Sequence, residues 1–408
     1  MLIISRKTDV KQINKLGILK LIRNLEETTQ PEISKELGLS RPTVSSLVDE
    51  LIGEGFIKVS GIGTSTDQGG KRPKLIAFNS KGGAIISLHL GFRFIEAALI
   101  DLSANTLWKI NKPTTKKESK SSILAKIYEM VEELNEKANT LEILVRGIGV
   151  GCPGLVETQT GKIITATNFE NLHDFSLGES LFEKFQTPVW VDNECRNLVL
   201  AEKMFGDGKD IQTFVSLETD VGIGAGIIIN QQIVRGIDNS FGEIGHTTIQ
   251  MDGPACQCGN EGCWEVFASS NALQVKVAKN LSRTLKLKEM VESPDDLSIQ
   301  LIAEAIEQGD TVVEQMAIYD LGKYLGVGIA NLANTLNPEL VIIHGEMSLL
   351  GDRLIEQIER HVRLRALPVP KQRMRVKFSQ LGEMANLIGS GALVLKELFD
   401  NPDYLFTN

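Results

Sequence analysis

Residues 242–265 read GEIGHTTIQMDGPACQCGNEGCWE, and this stretch decides more about the fold than any other because it concentrates metal-ligand chemistry. It contains four potential ligands, namely His246, Cys256, Cys258 and Cys263. One imidazole and three thiolates make up the complete tetrahedral set of a structural zinc site. Gly259 and Gly262 allow the backbone to curl so that the sulfurs can converge. The stretch therefore predicts a structural Zn²⁺, and the alternative is a group of buried free thiols.

The distribution of the cysteines along the chain favours metal binding over disulfides. The chain has five cysteines, and three of them lie in this stretch beside a histidine. In a reducing compartment such clustering indicates metal binding.

Residues 1–11 lack the apolar core of a signal peptide, and no apolar run approaches the roughly 20 residues that span a bilayer. We therefore expect a cytoplasmic protein.

Charge is distributed unevenly along the 408 residues. The net charge is −9, yet residues 1–80 hold 12 Lys and Arg against 9 Asp and Glu, which leaves −12 for the remainder. The length predicts two or three folding units. A mildly basic head on an acidic body is typical of a small DNA-binding domain joined to a larger domain.

The first 60 residues predict a helix-turn-helix. Pro31 suits the first turn of a second helix, and Gly38 suits its C-terminal cap. Ser40 is a good N-cap for a third helix whose apolar residues recur at helical spacing. The two segments that follow, residues 56–60 and 75–78, alternate like the strands of a wing.

The third helix should present polar side chains to DNA. Its exposed face carries hydrogen-bonding groups suited to base edges and phosphates, namely Arg41, Thr43, Ser45 and Ser46. At the tip of the wing, Lys71 and Arg72 could enter a minor groove or contact phosphates. From about residue 81 onward, strands alternate with helices and predict an α/β body.

Several motifs together resemble the ROK family of repressors, open reading frames and sugar kinases. They are the zinc stretch, the glycine-rich run 222–226, Gly236, residues 149–154, and the pair Asn193-Glu194. The resemblance implies an α/β fold in which the winged helix-turn-helix precedes a two-lobed, actin-like sugar-kinase (ROK) domain. It implies a winged domain at 1–79, a first lobe at 80–192 completed by a C-terminal helix at 386–400, and a second lobe at 193–385 that holds the zinc.

The resemblance also implies a sugar site. Carried over position by position, its residues are Asn193, Glu194, Glu243, His246 and Glu265. Carboxylates and an amide can hold paired hydroxyls and so select among epimers. Glu243 and Glu265 could instead be surface or helix-capping carboxylates. Arg196 stands where the family usually has a small polar residue, and it could either bind a phosphate or form an ion pair.

Departures from the kinase pattern argue against catalysis. The first phosphate loop of the family reads Asp-x-Gly-x-Thr, whereas this chain has His89-Leu90-Gly91-Phe92-Arg93. Phosphoryl transfer depends on positioning and charge neutralisation, which this loop lacks. Glu194 replaces the family's catalytic aspartate, and as a carboxylate it keeps a kinase open as the alternative.

The residues and the resemblance together predict a sugar-responsive transcriptional regulator, a repressor rather than an enzyme. We expect it to bind double-stranded operator DNA and a sugar or sugar phosphate, with xylose as the leading effector. We also expect a homodimer or homotetramer. The alternatives are a ROK sugar kinase and a repressor that is relieved by a protein partner.

Overall fold

A computed structural model describes residues 10–63, 72–166 and 169–406. The chain divides into two units, residues 1–192 with 390–408 and residues 193–389. Lys71, predicted to contact DNA, lies outside the described residues.

The chain begins with a winged head of three helices and a small sheet. Its elements are α1 (Val10–Leu25), β1 (Glu27–Thr29), α2 (Gln30–Leu37), α3 (Arg41–Gly53), β2 (Ile57–Ile62) and β3 (Lys74–Phe78). The strands pair antiparallel in the order β1-β3-β2. The predicted helices are present, and β1 adds a third strand that the sequence pattern did not indicate.

Local capping explains where these helices begin and end. The backbone N–H of Thr29 donates to Glu32 Oε2 at 2.8 Å, which forms half of a capping box at the start of α2. Gly38 ends α2 with a left-handed φ of 65°. The hydroxyl of Ser40 accepts the Thr43 N–H at 3.3 Å and caps α3.

The rest of the first unit is an α/β layer. Its elements are β4 (Ala84–Leu90), β5 (Phe94–Asp101), β6 (Thr106–Pro113), α4 (Lys120–Thr140), β7 (Val145–Cys152), β8 (Leu155–Glu157), β9 (Lys162–Thr165), α5 (Leu177–Phe185) and β10 (Val189–Asn193). Five strands form one sheet in the order β10-β7-β4-β5-β6, and β8 pairs with β9 separately. The inner face of α4 buries apolar side chains that include Ile123, Ile127 and Val131.

The second unit is a five-stranded sheet packed with helices. Its elements are α6 (Glu194–Phe205), β11 (Phe214–Glu218), β12 (Gly224–Ile229), β13 (Gln232–Ile233), α7 (Glu265–Ala268), α8 (Ser270–Lys279), α9 (Leu287–Met290), α10 (Ile299–Glu307), α11 (Thr311–Glu314), α12 (Leu321–Leu336), β14 (Leu340–His344), α13 (Asp352–Arg365), α14 (Pro368–Arg373) and β15 (Arg375–Phe378). The strand order is β13-β12-β11-β14-β15. Trp264, only 1% exposed, lies in the core of this unit.

Two C-terminal helices, α15 (Ala385–Asp400) and α16 (Pro402–Phe406), complete the structure. Within the first unit, the Ser390 hydroxyl donates to the carbonyl of Leu88 in β4 at 2.8 Å. The ring of Phe406 meets Phe56 of the head edge-to-face at 5.6 Å between centroids. The ammonium of Lys15 lies 4.4 Å from the Phe406 ring centroid. Helix α16 therefore packs against the head.

Among the described residues, no helix combines the length and the apolar character required to cross a membrane.

Candidate functional site

The four predicted metal ligands converge in the second unit. One ligand atom from each of His246, Cys256, Cys258 and Cys263 lies within 4.8 Å of all the others. An isolated bridge between Thr248 and Cys263 closes the loop that carries them. An imidazole with three thiolates is the donor set of structural zinc, so these residues fit that ion.

Glycine makes the tight return of this loop feasible. Gly262 has a φ of +67°, and a Cβ at this position would lie 1.7 Å from the carbonyl oxygen of Gln250. Any side chain would therefore force the loop apart. Gly259, at a φ of +91°, has open space around it and is needed for its backbone conformation alone.

The thiols differ in their proton affinity. Burial raises the pKa of Cys256 and, to a smaller degree, that of Cys263. A hydrogen bond from the backbone of Asn260 lowers the pKa of Cys258, which is exposed. Metal binding requires thiolates, and the positive charge of a bound cation would stabilise the negative thiolates that burial disfavours.

His246 connects the thiols with two carboxylates. Its Nδ1 lies 3.7 Å from the Cys256 sulfur and 3.5 Å from Oε1 of Glu265. Its Nε2 lies 3.9 Å from Oε2 of Glu243. One ring nitrogen therefore faces the cluster and the other faces Glu243. Partial burial raises the pKa of Glu243, while His246 and Arg196 pull it down.

Asn193 and Glu194 lie where β10 ends and α6 begins. The carboxamide oxygen of Asn193 accepts the backbone N–H of Cys195 at 2.9 Å and that of Arg196 at 3.4 Å. Asn193 is therefore the N-cap of α6, a role that the sequence motif did not reveal. A ligand that binds the Asn193 amide would therefore meet a side chain whose oxygen is already engaged in the helix cap.

The thiol of Cys195 shows how close the acidic groups lie. Burial raises its pKa well above the usual range, and the carboxylates of Glu218, Glu194 and Glu243 raise it further. Its sulfur lies 3.3 Å from Oε2 of Glu218. The predicted residues Glu194 and Glu243 thus both raise the pKa of the Cys195 thiol, although 48 residues lie between them in the sequence. Sequence reasoning did not include Glu218 in this group.

The predicted DNA surface is polar and accessible. Arg41, Thr43 and Ser46 are exposed on the first turns of α3, and Ser45 is half-buried. The Thr43 hydroxyl lies 2.7 Å from that of Ser40, so it also takes part in the helix cap. Arg72 is exposed just before β3.

The loops that would hold a nucleotide in a kinase carry other interactions here. In the first unit, Nδ1 of His89 lies 3.6 Å from Oε2 of Glu96. In the second unit, the carboxylate of Asp220 accepts the backbone N–H of Glu346 at 3.1 Å. Gly345 has a φ of +101°, and a Cβ there would lie 2.2 Å from the same carboxylate oxygen. The turn after β14 is thus already filled by a fixed negative charge.

Family comparisons agree with this architecture. The profile of winged helix-turn-helix DNA-binding domains matches residues 12–58, within the head. The profile of the ROK family matches residues 85–397. A DNA-binding head joined to such a body defines a transcriptional regulator built on a sugar-kinase fold. The chain belongs to the ROK family, which confirms both the predicted resemblance and the predicted fold class.

Two similar proteins match nearly the whole chain, and a sugar kinase matches about three quarters of it. The xylose repressor of Caldicellulosiruptor bescii is 33% identical over 398 residues, 97% of this chain and 99% of that protein. The crystal structure of a ROK family transcriptional regulator, a homologue of the Escherichia coli MLC protein, superposes with a TM-score of 0.82 at 29% identity, covering 97% and 98% of the two chains. A ROK family glucokinase from Streptomyces griseus, solved with glucose and AMPPNP, gives 0.69 at 26% identity and covers 76% of this chain and 99% of its own.

Proposed function

We propose that this sugar-responsive transcriptional repressor binds operator DNA through α3 and the wing, and that an aldose such as xylose releases it. The observation that carries the proposal is that one chain has both an exposed polar face on α3 and a cluster of carboxylates around His246 and Cys195. Arg41, Ser45, Ser46 and Arg72 would contact bases and phosphates, as would Thr43 and Lys71. The xylose repressor among its relatives suggests the sugar.

The sugar would be held in the second unit. Glu243 and Glu265 flank His246, and Glu194 shares their electrostatic environment. Carboxylate oxygens accept hydrogen bonds from paired hydroxyls, while the Asn193 amide offers a donor. The proposed effector residues are therefore Asn193, Glu194, Glu243, His246 and Glu265.

Zinc is the metal that these donors fit best. His246, Cys256, Cys258 and Cys263 would hold it, and the ion would supply fixed geometry rather than catalysis. Because the other nitrogen of His246 faces Glu243, an ordered metal loop would also orient the ring for a sugar hydroxyl.

A sugar kinase is the second candidate, since the glucokinase from S. griseus shares the fold of most of this chain. The carboxylate of Asp220 at the Glu346 N–H and the His89–Glu96 pair argue against it. A fixed carboxylate repels phosphate, and phosphoryl transfer needs the opposite charge at that place. We therefore propose a protein without kinase activity.

Operator binding would require at least two heads. A winged helix reads one half-site, and half-sites lie about one helical turn apart, so a few ångströms of respacing can release DNA. We propose a homodimer or homotetramer whose head spacing changes when sugar binds.

Fluorescence anisotropy on duplexes obtained by in vitro selection would test the function. The titrations use fixed salt, because phosphate contacts make affinity salt-dependent. The ligands are D-xylose, D-glucose and N-acetyl-D-glucosamine with their phosphates. We expect one ligand to weaken operator binding about tenfold or more. Glu243→Ala should remove this response, whereas the exposed control Glu261→Ala should retain it.

The other outcomes each point to a different function. Specific DNA binding with no response to any ligand would favour release by a protein partner. An absence of specific DNA binding, together with ATP-dependent phosphorylation of one sugar, would establish the kinase instead.

A further inference from the structure

Arg196 is a buried cation in the first turn of α6. The residue is only 2% exposed, which is rare for arginine outside an interaction network. Its Nη1 donates to the backbone carbonyl of Asn239 at 2.7 Å. The guanidinium is therefore turned into the protein and engaged there.

This hydrogen bond joins two segments that both carry proposed sugar ligands. Arg196 lies three positions after Asn193 and two after Glu194, and its own N–H is capped by the Asn193 carboxamide. Asn239 lies in the loop that precedes Glu243 and has a left-handed φ of 61°. One side chain thus connects the start of α6 to the loop that ends at Glu243.

The loop is held by its own hydrogen bonds as well as by Arg196: the Val234 N–H donates to the Ile227 carbonyl at 3.0 Å, and the Ser240 hydroxyl donates to the Asp238 carboxylate at 2.6 Å. Residues 234–241 contain no strand or helix, and Ile237 at its tip is fully exposed. The Phe241 N–H donates to the Arg235 carbonyl at 3.2 Å, which closes the loop on itself rather than onto α6. The Arg196 contact is a hydrogen bond from a charged donor, which is stronger than a neutral one.

The charge of Arg196 acts on the same residues. It lies near enough to Glu243 to favour the ionised carboxylate. Glu194, Glu218 and Glu243 together surround the neighbouring Cys195. The guanidinium of Arg196 offsets part of the repulsion between these three carboxylates, which outnumber it.

We propose that Arg196 is the positioning residue of the effector site, holding Glu243 in place relative to Glu194, and that the site takes an uncharged polyhydroxyl sugar rather than a sugar phosphate. The inference rests on the proposed function. A cation that is buried and bonded to Asn239 is not presented to a ligand phosphate. The carboxylates that remain would repel a phosphate dianion and would accept hydrogen bonds from neutral hydroxyls.

The test measures sugar affinity by isothermal titration and operator affinity without sugar, on the full-length protein. The probes are D-xylose, D-glucose and N-acetyl-D-glucosamine with their phosphates. Arg196→Gln should weaken binding of the uncharged sugar about ten- to hundredfold, since charge-assisted bonds contribute that much. Arg196→Lys should restore part of it. Arg283→Gln, an exposed arginine of the same unit, is the control.

A double-mutant cycle separates positioning from a general loss of stability. If Arg196 acts through Glu243, then Arg196→Gln should change the affinity less than twofold in a Glu243→Gln background. The Arg283→Gln control should keep both operator affinity and sugar affinity within twofold of wild type. If Arg196→Gln does not fold, the partial effect of Arg196→Lys and its loss in the Glu243→Gln background decide the matter.

Each result has a distinct meaning. Unchanged sugar affinity in Arg196→Gln, or an undiminished effect in the Glu243→Gln background, would overturn the positioning role while leaving the repressor function intact. Selective loss of a sugar phosphate would show that Arg196 binds phosphate instead. If the wild-type protein binds none of the sugars, the proposed effector function fails, and this inference fails with it.

Discussion

His344 shows at the scale of one residue how a polar group is accommodated in the core. It ends β14 and is 4% exposed. Its Nε2 lies 2.8 Å from the Ser216 hydroxyl and 3.5 Å from the carboxylate of Glu202. Burial lowers the pKa of His344 to about 3, so the ring is neutral at physiological pH.

Protonation of His344 should destabilise the second unit. The pKa in the folded protein is depressed below the unfolded value of about 6.5. Stability is therefore fully present above pH 6.5 and is lost as the pH falls toward 3. At pH 5.5 the loss should reach about 1.4 kcal/mol relative to pH 7.5. Urea unfolding, followed by the fluorescence of tryptophans that include Trp264, would measure it.

Substitution of this histidine isolates its contribution. His344→Gln keeps a polar group near Ser216 but cannot titrate, so the pH dependence should become shallower by that amount. Replacement of the exposed His173 by Gln should leave the wild-type slope. Equal slopes for wild type and His344→Gln would show that other groups cause the acid sensitivity.

For single residues, residue type and spacing predicted the kind of chemistry better than they predicted which atoms would be in contact. The ligand set around His246 was predictable because all four members lie between positions 246 and 263. The use of the Asn193 carboxamide as a helix cap was not, because a motif names a residue without specifying which neighbour its atoms will bind.

The loop that carries the three clustered cysteines has no regular secondary structure. Residues 247–263 contain no helix or extended strand, only isolated bridges and turns. Backbone hydrogen bonds close the loop at its base, for example from the Ile249 N–H to the Gly262 carbonyl at 2.9 Å, and a metal bound to the His/Cys cluster would restrict its conformations further.

Removal of one thiol should release the metal and loosen this loop. Cys258→Ser is expected to lower the zinc content from about one ion per chain to near zero and to expose the loop to protease. Elemental analysis after gel filtration, with limited proteolysis, would measure both effects. Cys152→Ser, a buried cysteine of the first unit, should keep full zinc content. Equal zinc in the two variants would exclude Cys258 as a ligand.

The helices of the head were predictable as elements because their signals are local. Gly38 and Ser40 act on the backbone within four residues of themselves. By contrast, β1 has only three residues and exists because Glu27 to Thr29 pair with β3, almost 50 positions away. A strand this short carries no alternation that a sequence could show.

On the scale of the whole molecule, helix α16 packs against the head within the first unit. Phe56, just after α3, contacts Phe406 edge-to-face, and the guanidinium of Arg146 lies 4.9 Å from the Phe56 ring centroid. Tyr404 meets Trp190 of β10 at 5.2 Å. The same short helix, α16, therefore touches both the head and the strand that leads to Asn193.

Loss of this aromatic contact should affect DNA binding more than sugar binding. Phe406→Ala removes a ring pair worth about 0.5–1.5 kcal/mol beyond its buried area. We expect a roughly tenfold loss of operator affinity, because the head is then held less firmly, with sugar affinity within twofold of wild type. Anisotropy and calorimetry would measure the two. Phe182→Ala, an exposed residue of the same unit, serves as the control, and a similar loss in that variant would contradict the prediction.

Residue order alone was enough to predict the helix caps of the head, the His/Cys cluster and the resemblance to the ROK family. These follow from steric effects and hydrogen bonds between near neighbours, or from motifs whose residues lie close together in the chain. The hydrogen bond from Arg196 to Asn239, the shared environment of Glu194 and Glu243, and the packing of Phe406 on Phe56 became apparent only in the folded protein. Such contacts depend on the packing free energy of whole units, which no short stretch of sequence encodes.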